Sequence, residues 1–273
     1  MGNIYQQISQ ITQIIKFGNY SGGATRSRAP RGNDDPDAPR PVRRRASPST
    51  FHAERGTRPV QSPLMKMASL ALETAVSQQH NLTHIAGIDE AGRGALAGPV
   101  VAAAVILPLN DQIATLLNGV NDSKQLTAKK RESLFELICQ HALAYGIGQQ
   151  PASVIDEIGI LPANKLAMAT AVAQLTHAPQ FLLIDGRIRL PQLNIPQKAI
   201  VRGDSQSLSI AAASILAKVT RDRLMIEMDQ QFPRYGFAQH KGYGTQQHRD
   251  AIAQHGPCPQ HRHSFAPIRQ PLL

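Results

Sequence analysis

Short apolar runs alternate with longer amphipathic segments along the chain from about residue 65 onward. Runs with strand character occupy residues 83–89, 100–107, 143–149, 181–184 and 198–201. Helical periodicity covers residues 127–141, 151–157, 161–176 and 207–231. The first strands follow each other closely, whereas the later ones are interleaved with helices. This order predicts an α/β fold in which a mixed central sheet is covered by helices on both faces.

The segment before this pattern has a different composition. Residues 18–63 are rich in Gly, Ser, Pro and Arg and lack apolar periodicity, so they bury too little surface to offset the entropy of ordering. We therefore expect a disordered basic extension over residues 1–64 and a folded domain over residues 65–273. Met65 and Met67 precede the first sustained helical pattern, which leaves open whether the native protein begins at one of them.

The positive charge of the chain is unevenly distributed. The formal net charge is +10, and residues 1–64 hold ten Lys and Arg against four Asp and Glu, which leaves +4 for the remainder. A modestly basic body favours a polyanionic partner such as a nucleic acid, because phosphate contacts supply much of nucleic-acid affinity. Charge alone does not establish such a partner.

The two cysteines, Cys139 and Cys258, lie far apart in unrelated contexts, which argues against a disulfide framework and favours a reducing compartment. Histidines flank Cys258, but their spacing fits no familiar zinc pattern, and zinc is kept only as a minor alternative. No stretch of the sequence approaches the roughly 18 to 20 consecutive apolar residues of a membrane-spanning helix. We expect a cytoplasmic protein without membrane association.

Acidic residues stand at the ends of three predicted strands. Asp89 and Glu90 follow the first strand, Asp185 ends the fourth, and Asp204 lies just beyond the fifth. Strand ends of an open sheet gather at one edge, so these residues are expected to converge there. Taken singly, Asp185 before Gly186 also suits a turn, and Asp204 also suits a helix cap.

A cluster of four carboxylates repels itself unless cations neutralise it. An all-oxygen donor set favours two Mg²⁺ or Mn²⁺ ions over zinc. Two such ions roughly 3.5 to 4 Å apart can activate water and stabilise the leaving oxygen of a phosphodiester. The acids therefore point to phosphodiester hydrolysis.

The chain resembles ribonuclease HII, the type 2 ribonuclease H, through motifs that lie between about residues 83 and 268. These motifs are Asp89-Glu90-Ala91-Gly92-Arg93-Gly94, Asn121-Asp122-Ser123-Lys124, Ile184-Asp185-Gly186, Gly203-Asp204-Ser205, the helical run 209–222, and His240-Lys241-Gly242-Tyr243-Gly244-Thr245. The resemblance implies a ribonuclease H-like fold in which residues 65–273 form the catalytic domain and include a C-terminal helical segment. We also expect the protein to be a monomer.

The activity implied by the resemblance is endonucleolytic cleavage of RNA in RNA/DNA hybrids, including a single ribonucleotide embedded in duplex DNA. Cleavage would fall 5′ of the ribonucleotide and leave a 3′-hydroxyl and a 5′-phosphate. Carried over by position, Asp89, Glu90, Asp185 and Asp204 match the catalytic acids that bind the metal ions. RNA/DNA hybrid and ribonucleotide-containing duplex DNA are then the expected partners.

Substrate-binding roles follow from the same resemblance. Gly92, Arg93 and Gly94 match a loop that reads the ribose 2′-hydroxyl through backbone groups, which is the group that distinguishes RNA from DNA. Tyr243 matches a tyrosine that stacks on the sugar of the next deoxynucleotide, although a half-buried Tyr beside a glycine turn has the same pattern. Lys124 matches a phosphate contact, against the alternative of an ordinary loop before a helix.

Several charged residues near these motifs keep simpler interpretations. Asp222 is explained by an ion pair with Lys218 one turn earlier, so a fifth catalytic acid is not needed. Lys218, Arg221 and Arg223 either touch the nucleic-acid backbone or face water. Gln206 departs from the family pattern, because many relatives carry a basic residue after the Gly-Asp-Ser motif.

Two further functional classes remain open from the sequence. One is a different nuclease or phosphotransferase on the same fold, and the other is a non-catalytic nucleic-acid-binding module. The Gly-Arg-Gly and Gly-Tyr-Gly segments disfavour the first alternative, and the complete acid set disfavours the second. The C-terminal residues lack the aromatic pair of a clamp-binding motif, so no such partner is expected.

Overall fold

The computed structural model of the protein describes residues 68–120 and 126–269. The extension expected to be disordered at 1–64 and the candidate start at Met65 lie outside these ranges, as does the phosphate contact proposed for Lys124. No helix within the described ranges is both long and apolar enough to cross a membrane.

A five-stranded mixed sheet forms the centre of the fold, as the sequence predicts. Its strands are β1 (Ile85–Ala91), β2 (Val100–Ile106), β3 (Ala144–Gln150), β4 (Phe181–Asp185) and β5 (Gln197–Ile200). They lie in the order β3-β2-β1-β4-β5. The β1, β2 and β3 strands pair antiparallel, whereas β4 pairs parallel with both β1 and β5. The two halves of the sheet therefore meet at the β1–β4 pair.

Helices surround the sheet and continue beyond it toward the C-terminus. They are α1 (Ala71–His80), α2 (Asp111–Leu116), α3 (Ala128–His141), α4 (Ala152–Ile158), α5 (Ile160–Ala173), α6 (Leu208–Gln231), α7 (Phe237–His240) and α8 (Gln246–His255). Thr127 and Ser207 cap α3 and α6, because each side chain accepts a hydrogen bond from the backbone three residues later. The predicted helix starts at these two residues are thereby confirmed.

Side-chain alternation along β1 assigns its residues to two apolar layers. Ala86 and Ile88 pack in the layer that includes α5, whereas Ala91 packs in the layer formed with α6. Gly87 lies directly against α6, since a methyl group there would overlap the backbone at Ser209. This close approach requires a glycine and brings α6 over the face of the strand to which Asp89 also belongs.

The N-terminus of α6 is anchored by α1. The fully buried Glu73 of α1 accepts hydrogen bonds at Oε1 from the Ser207 hydroxyl at 2.6 Å, the Ser209 hydroxyl at 2.6 Å and the Ser209 N–H at 2.9 Å. A carboxylate at this position satisfies donors that the first turn of a helix leaves without partners. Helix α1 is thus joined to the start of α6.

Observed element bounds differ from the predicted ones by a few residues. The predicted helix at 161–176 ends at Ala173, and the predicted strand at 83–89 extends to Ala91. Strand β1 continues because Glu90 and Ala91 still pair with β2 after the pairing with β4 has ended. Asp89 and Glu90 therefore lie within the strand, whereas the sequence placed Glu90 beyond its end.

Candidate active site

Parallel pairing of β1 with β4 brings Asp89 and Asp185 together. The ladder between these strands ends at the pair Ile88 and Ile184, so the two aspartates are the next residues on neighbouring strands. Both belong to the face that packs on α6, because Leu183, two residues before Asp185, shares an apolar cluster with Ile210 of that helix. The convergence expected from the sequence is observed for these two residues.

Asp89 is the most deeply buried acid of the candidate site, with 7% of its surface exposed. Its Oδ1 accepts the N–H of Glu90 at 2.7 Å, and its carboxylate also accepts a hydrogen bond from Ser214 of α6. Burial raises the pKa of Asp89 well above its ordinary value, and the negative charges of Glu90 and Asp185 raise it further. The two hydrogen bonds oppose this shift without cancelling it.

The other acids of the site are held by short-range contacts. Glu90 Oε1 accepts a hydrogen bond from Arg93 Nη1 at 2.7 Å. Asp185 Oδ1 accepts the N–H of Gly203 at 2.7 Å, and Gly203 begins the 3₁₀ turn that contains Asp204. The Asp204 turn is therefore tied to Asp185 by a backbone hydrogen bond.

Gln206 stabilises the same turn. Its Nε2 donates to the carbonyl oxygens of Val201 at 2.8 Å and Arg202 at 3.0 Å. Arg202 has a left-handed backbone with φ of 56°, a conformation that needs support in a residue other than glycine. The departure from the family pattern at Gln206 thus serves the loop that carries Asp204.

The chemistry of these side chains fits a hard divalent cation. The donors are carboxylate oxygens, and the pKa of Asp89 is raised first by burial and then by the negative charges of Glu90 and Asp185, which a cation would neutralise. Within residues 68–120 and 126–269, no three His, Cys, Asp or Glu side chains are grouped in a way that could hold a metal ion. Glu90 is instead paired with Arg93.

The Gly92-Arg93-Gly94 loop follows β1 directly and turns back over a buried arginine. Gly92 has φ of 87°, which favours glycine, while Arg93 and Gly94 are exposed. Arg262 donates to the carbonyl oxygens of Gly92 at 2.7 Å and Arg93 at 2.9 Å. The backbone of the predicted ribose-reading loop is therefore fixed from beneath by a residue far away in sequence.

Tyr243 lies beside this loop and remains 38% exposed. The guanidinium of the buried Arg221 lies 5.4 Å from the centre of the Tyr243 ring. The N–H groups of Leu96 and Ala97, just after the loop, donate to the carbonyl oxygen of Gly242. The Gly-Arg-Gly and Gly-Tyr-Gly segments, distant in sequence, are thus joined by backbone hydrogen bonds.

Three buried histidines support the Tyr243 turn. His240 and His248 stack with ring centres 4.3 Å apart, and His248 Nε2 lies 3.0 Å from His261 Nε2. The N–H of Gly242 donates to His240 Nδ1, and His248 Nδ1 lies 3.0 Å from the Tyr243 carbonyl oxygen. His248 and His261 belong to no sequence motif, and the motif that contains His240 does not reveal its contacts, because the three rings come from different elements of the C-terminal segment.

The structure decides between interpretations of the charged residues on α6. Asp222 accepts a hydrogen bond from Lys218 at 2.6 Å, which confirms the ion pair. Arg223 pairs with Glu132 of α3 at 2.5 Å. The expectation that Arg221 faces either water or nucleic acid is wrong, because its side chain is fully buried among backbone carbonyls.

The segment considered for zinc has a packing role in the described structure. Cys258 is buried and its N–H donates to His261 Nδ1 at 2.9 Å, while His255 and His263 are exposed. Both cysteines are free thiols. His261 packs against aromatic rings, with the Tyr235 ring centre 4.8 Å away.

A mixed sheet with two acids on adjoining central strands, packed beneath a long helix, defines the ribonuclease H-like class. A solved ribonuclease H2 from Pyrococcus horikoshii is similar, with 28% identity and a TM-score of 0.59 over 68% of this chain and 95% of that one. The sequence model for ribonuclease HII matches residues 86–268. The chain belongs to the ribonuclease HII family.

Sequence relatives agree with this assignment. The chain is 57% identical over 197 residues to the ribonuclease HII of Chloroflexus aurantiacus, with 72% of this chain and 92% of that protein covered. It is 60% identical over 186 residues to the ribonuclease HII of Geobacter metallireducens, covering 68% and 85%. The chain is therefore an endonuclease that hydrolyses RNA in RNA/DNA hybrids, in a family that depends on divalent metal ions. The two other functional classes considered from the sequence are thereby rejected.

Proposed function

We propose that this ribonuclease H also nicks duplex DNA on the 5′ side of a single embedded ribonucleotide. The products are a 3′-hydroxyl and a 5′-phosphate, formed by hydrolysis that uses two Mg²⁺ or Mn²⁺ ions. The repair of misincorporated ribonucleotides is the corresponding biological role. The proposal extends to action as a monomer in the cytoplasm.

The observation that carries this proposal is the burial of Asp89 against Asp185 and Glu90. Packing like charges together in a poorly solvated place destabilises the free protein, and divalent cations relieve that repulsion. In the proposal, Asp89, Glu90, Asp185 and Asp204 hold the ions. Bound ions of this kind supply an activated water and stabilise the leaving oxygen of a phosphodiester.

The hydrogen bonds of the acids describe what the protein itself contributes. Ser214 and the N–H of Glu90 orient the Asp89 carboxylate, and the N–H of Gly203 fixes one oxygen of Asp185. Arg93 holds Glu90 in the free protein through an exposed ion pair, which is weak and can be exchanged for another partner. Orientation of two acids before binding reduces the entropy that the reaction complex must lose.

Recognition of the single ribonucleotide is assigned to the loop and the tyrosine next to the acids. Gly92, Arg93 and Gly94 present backbone groups that can hydrogen-bond a 2′-hydroxyl. The exposed ring of Tyr243 offers an apolar surface for the sugar of the following deoxynucleotide. Hydrogen bonds between Leu96, Ala97 and Gly242 keep these two elements at a constant separation.

Cleavage of three matched duplexes tests the proposal. The substrates are a DNA duplex with one internal ribonucleotide, the same duplex without it, and an RNA/DNA hybrid of the same sequence, each with Mg²⁺, with Mn²⁺ or with EDTA. We expect metal-dependent nicking 5′ of the single ribonucleotide and no cleavage of all-DNA duplex. Cleavage of the hybrid without nicking at the single ribonucleotide would overturn the proposal while leaving the family activity intact.

A further inference from the structure

Two arginines, Arg221 and Arg262, are completely buried beneath the predicted ribose-reading loop. Neither forms an ion pair with a carboxylate in the part of the chain that the structure describes. Burial of a guanidinium without a counter-ion costs free energy. A guanidinium is buried in this way only where other polar groups accept hydrogen bonds from its N–H donors. Here backbone carbonyl oxygens take that role.

Arg262 donates to three backbone carbonyl oxygens between residues 92 and 98. Its Nη2 contacts the carbonyl oxygen of Gly92 at 2.7 Å, its Nη1 that of Arg93 at 2.9 Å, and its Nε that of Gly98 at 3.1 Å. Arg221 completes the arrangement by donating to Ala97 at 3.1 Å and, across to the tyrosine turn, to Lys241 at 2.9 Å. The two arginine side chains thus contact the inner side of both the Gly92-Arg93-Gly94 loop and the turn that contains Tyr243.

The direction of these carbonyls determines where the neighbouring N–H groups point. The peptide bonds of the loop are trans, so the C=O of Gly92 is opposed by the N–H of Arg93, and the C=O of Arg93 by the N–H of Gly94. With both carbonyls directed inward to Arg262, both N–H groups face outward. Arg93 and Gly94 are exposed, and neither N–H has an acceptor within the described residues.

We propose that Arg262 is a positioning residue that sets the specificity for ribose, because it orients the two outward N–H groups of the loop toward the 2′-hydroxyl. This inference rests on the proposed recognition of a single ribonucleotide. Arg262 itself does not touch the substrate. Arg221 has the companion role of fixing the tyrosine turn relative to the loop.

Arginine is required at this position by its geometry. A guanidinium has five donors in a planar fork, and Arg262 uses Nε and both terminal nitrogens to bind three carbonyls at once. A lysine ammonium is a single point that cannot span the carbonyls of Gly92, Arg93 and Gly98 together. Arg262→Lys therefore keeps the charge but releases at least one of the peptide planes.

Binding measurements on a cleavage-deficient background provide the test. The parent protein is the Asp185→Asn variant, and the readout is the ratio of its Kd for all-DNA duplex to its Kd for the same duplex with one ribonucleotide. We expect Arg262→Lys to lower this ratio by about tenfold, or ~1.4 kcal/mol, without changing the Kd for all-DNA duplex. The matched control is Arg223→Lys, which alters an exposed arginine on α6 and should leave the ratio unchanged.

The outcomes separate this inference from the proposed function. A parent without any preference for the ribonucleotide contradicts ribose recognition itself. A parent that prefers the ribonucleotide, combined with an Arg262→Lys variant that keeps the full ratio, overturns only the role of Arg262. A merely structural role would weaken binding to both duplexes equally, and that result would also overturn the inference.

A second measurement does not depend on the folding of an Arg262 variant. Amide hydrogen exchange of the parent is followed at Arg93 and Gly94, free and with each duplex. We expect both amides to exchange rapidly in the free protein and to become protected by the ribonucleotide-containing duplex but not by all-DNA duplex. Amides that are already protected in the free protein, or protected equally by both duplexes, would refute the outward orientation.

Discussion

His248 and His261 share a hydrogen bond between their Nε2 atoms, and neither ring is exposed to solvent. The Cys258 N–H donates to His261 Nδ1, so the proton of that ring lies on Nε2 and is donated to His248. His248 then carries its own proton on Nδ1 and donates it to the carbonyl oxygen of Tyr243. On each ring, one nitrogen thus donates a hydrogen bond and the other accepts one. A second proton on either ring would occupy the accepting nitrogen and break the hydrogen bond that it accepts.

Burial lowers the pKa of both histidines from 6.5 to about 4. In the unfolded chain both rings bind protons as the pH falls through about 6.5, whereas in the folded protein they remain neutral until about pH 4. Their contribution to stability is therefore complete above about pH 7 and is lost as the pH falls toward 4. Between about pH 7.5 and about pH 5, linkage predicts a loss of roughly 2 kcal/mol for each ring, or ~4 kcal/mol for the pair.

Urea unfolding at several pH values measures this loss. The chain has no Trp, so far-UV circular dichroism is the suitable signal. His248→Asn retains an amide nitrogen near the position of Nδ1 but removes one titrating ring. We expect this variant to be less stable than the wild type at about pH 7.5 and to lose roughly 2 kcal/mol less on acidification.

The matched control is His177→Asn, which removes an exposed histidine from the loop before β4. Its pH dependence should coincide with that of the wild type, because the His177 ring is exposed to solvent and is not part of the buried pair. Identical pH dependence in His248→Asn and the wild type would refute the argument, since it would show that protonation of the buried pair does not oppose folding.

Three further substitutions test the site and its supports. Asp185→Asn should reduce nicking at least about 100-fold while duplex affinity changes less than about twofold, and unchanged turnover would remove Asp185 from the metal site. Gly92→Ala should lower the free energy of unfolding by about 1–3 kcal/mol, because φ at Gly92 is 87° and the added methyl group would overlap Arg221. Gly94→Ala is the control and should leave the free energy of unfolding unchanged, because its added methyl group meets no atom within 4 Å. Glu73→Ala should cost about 2–4 kcal/mol in urea unfolding, and a change below about 0.5 kcal/mol would contradict the anchoring of α6.

The sheet and the central pair of acids could be predicted because they depend on local patterns. Apolar runs at strand length and helical periodicity locate the elements, and the parallel pairing of β1 with β4 makes residues at their ends neighbours. Asp89 and Asp185 are therefore found together as expected. The extension of β1 to Ala91 was not predicted, because it depends on pairing with β2 rather than on the polarity of Glu90.

The long-range hydrogen bonds that hold the candidate site in place could not be predicted from the sequence. Arg221 and Arg262 look like ordinary basic residues, and only the folded chain shows that backbone carbonyls more than 100 residues away bind them. The same holds for Ser214, because its place in the helical run 209–222 does not indicate that its side chain contacts Asp89. Long-range hydrogen bonds of this kind have no periodicity and leave no local signal.

The hydrogen bonds between Glu73 and the start of α6 limit how far the protein can be truncated from its N-terminus. The ribonuclease HII family model matches the chain only from residue 86, after the end of α1. Glu73 nevertheless holds the start of α6, and the same helix carries Ser214, which orients Asp89. The minimal unit that folds is thus longer at its N-terminus than the segment that the family model matches, and a fragment starting at residue 86 would lose order at the helix that packs on Asp89.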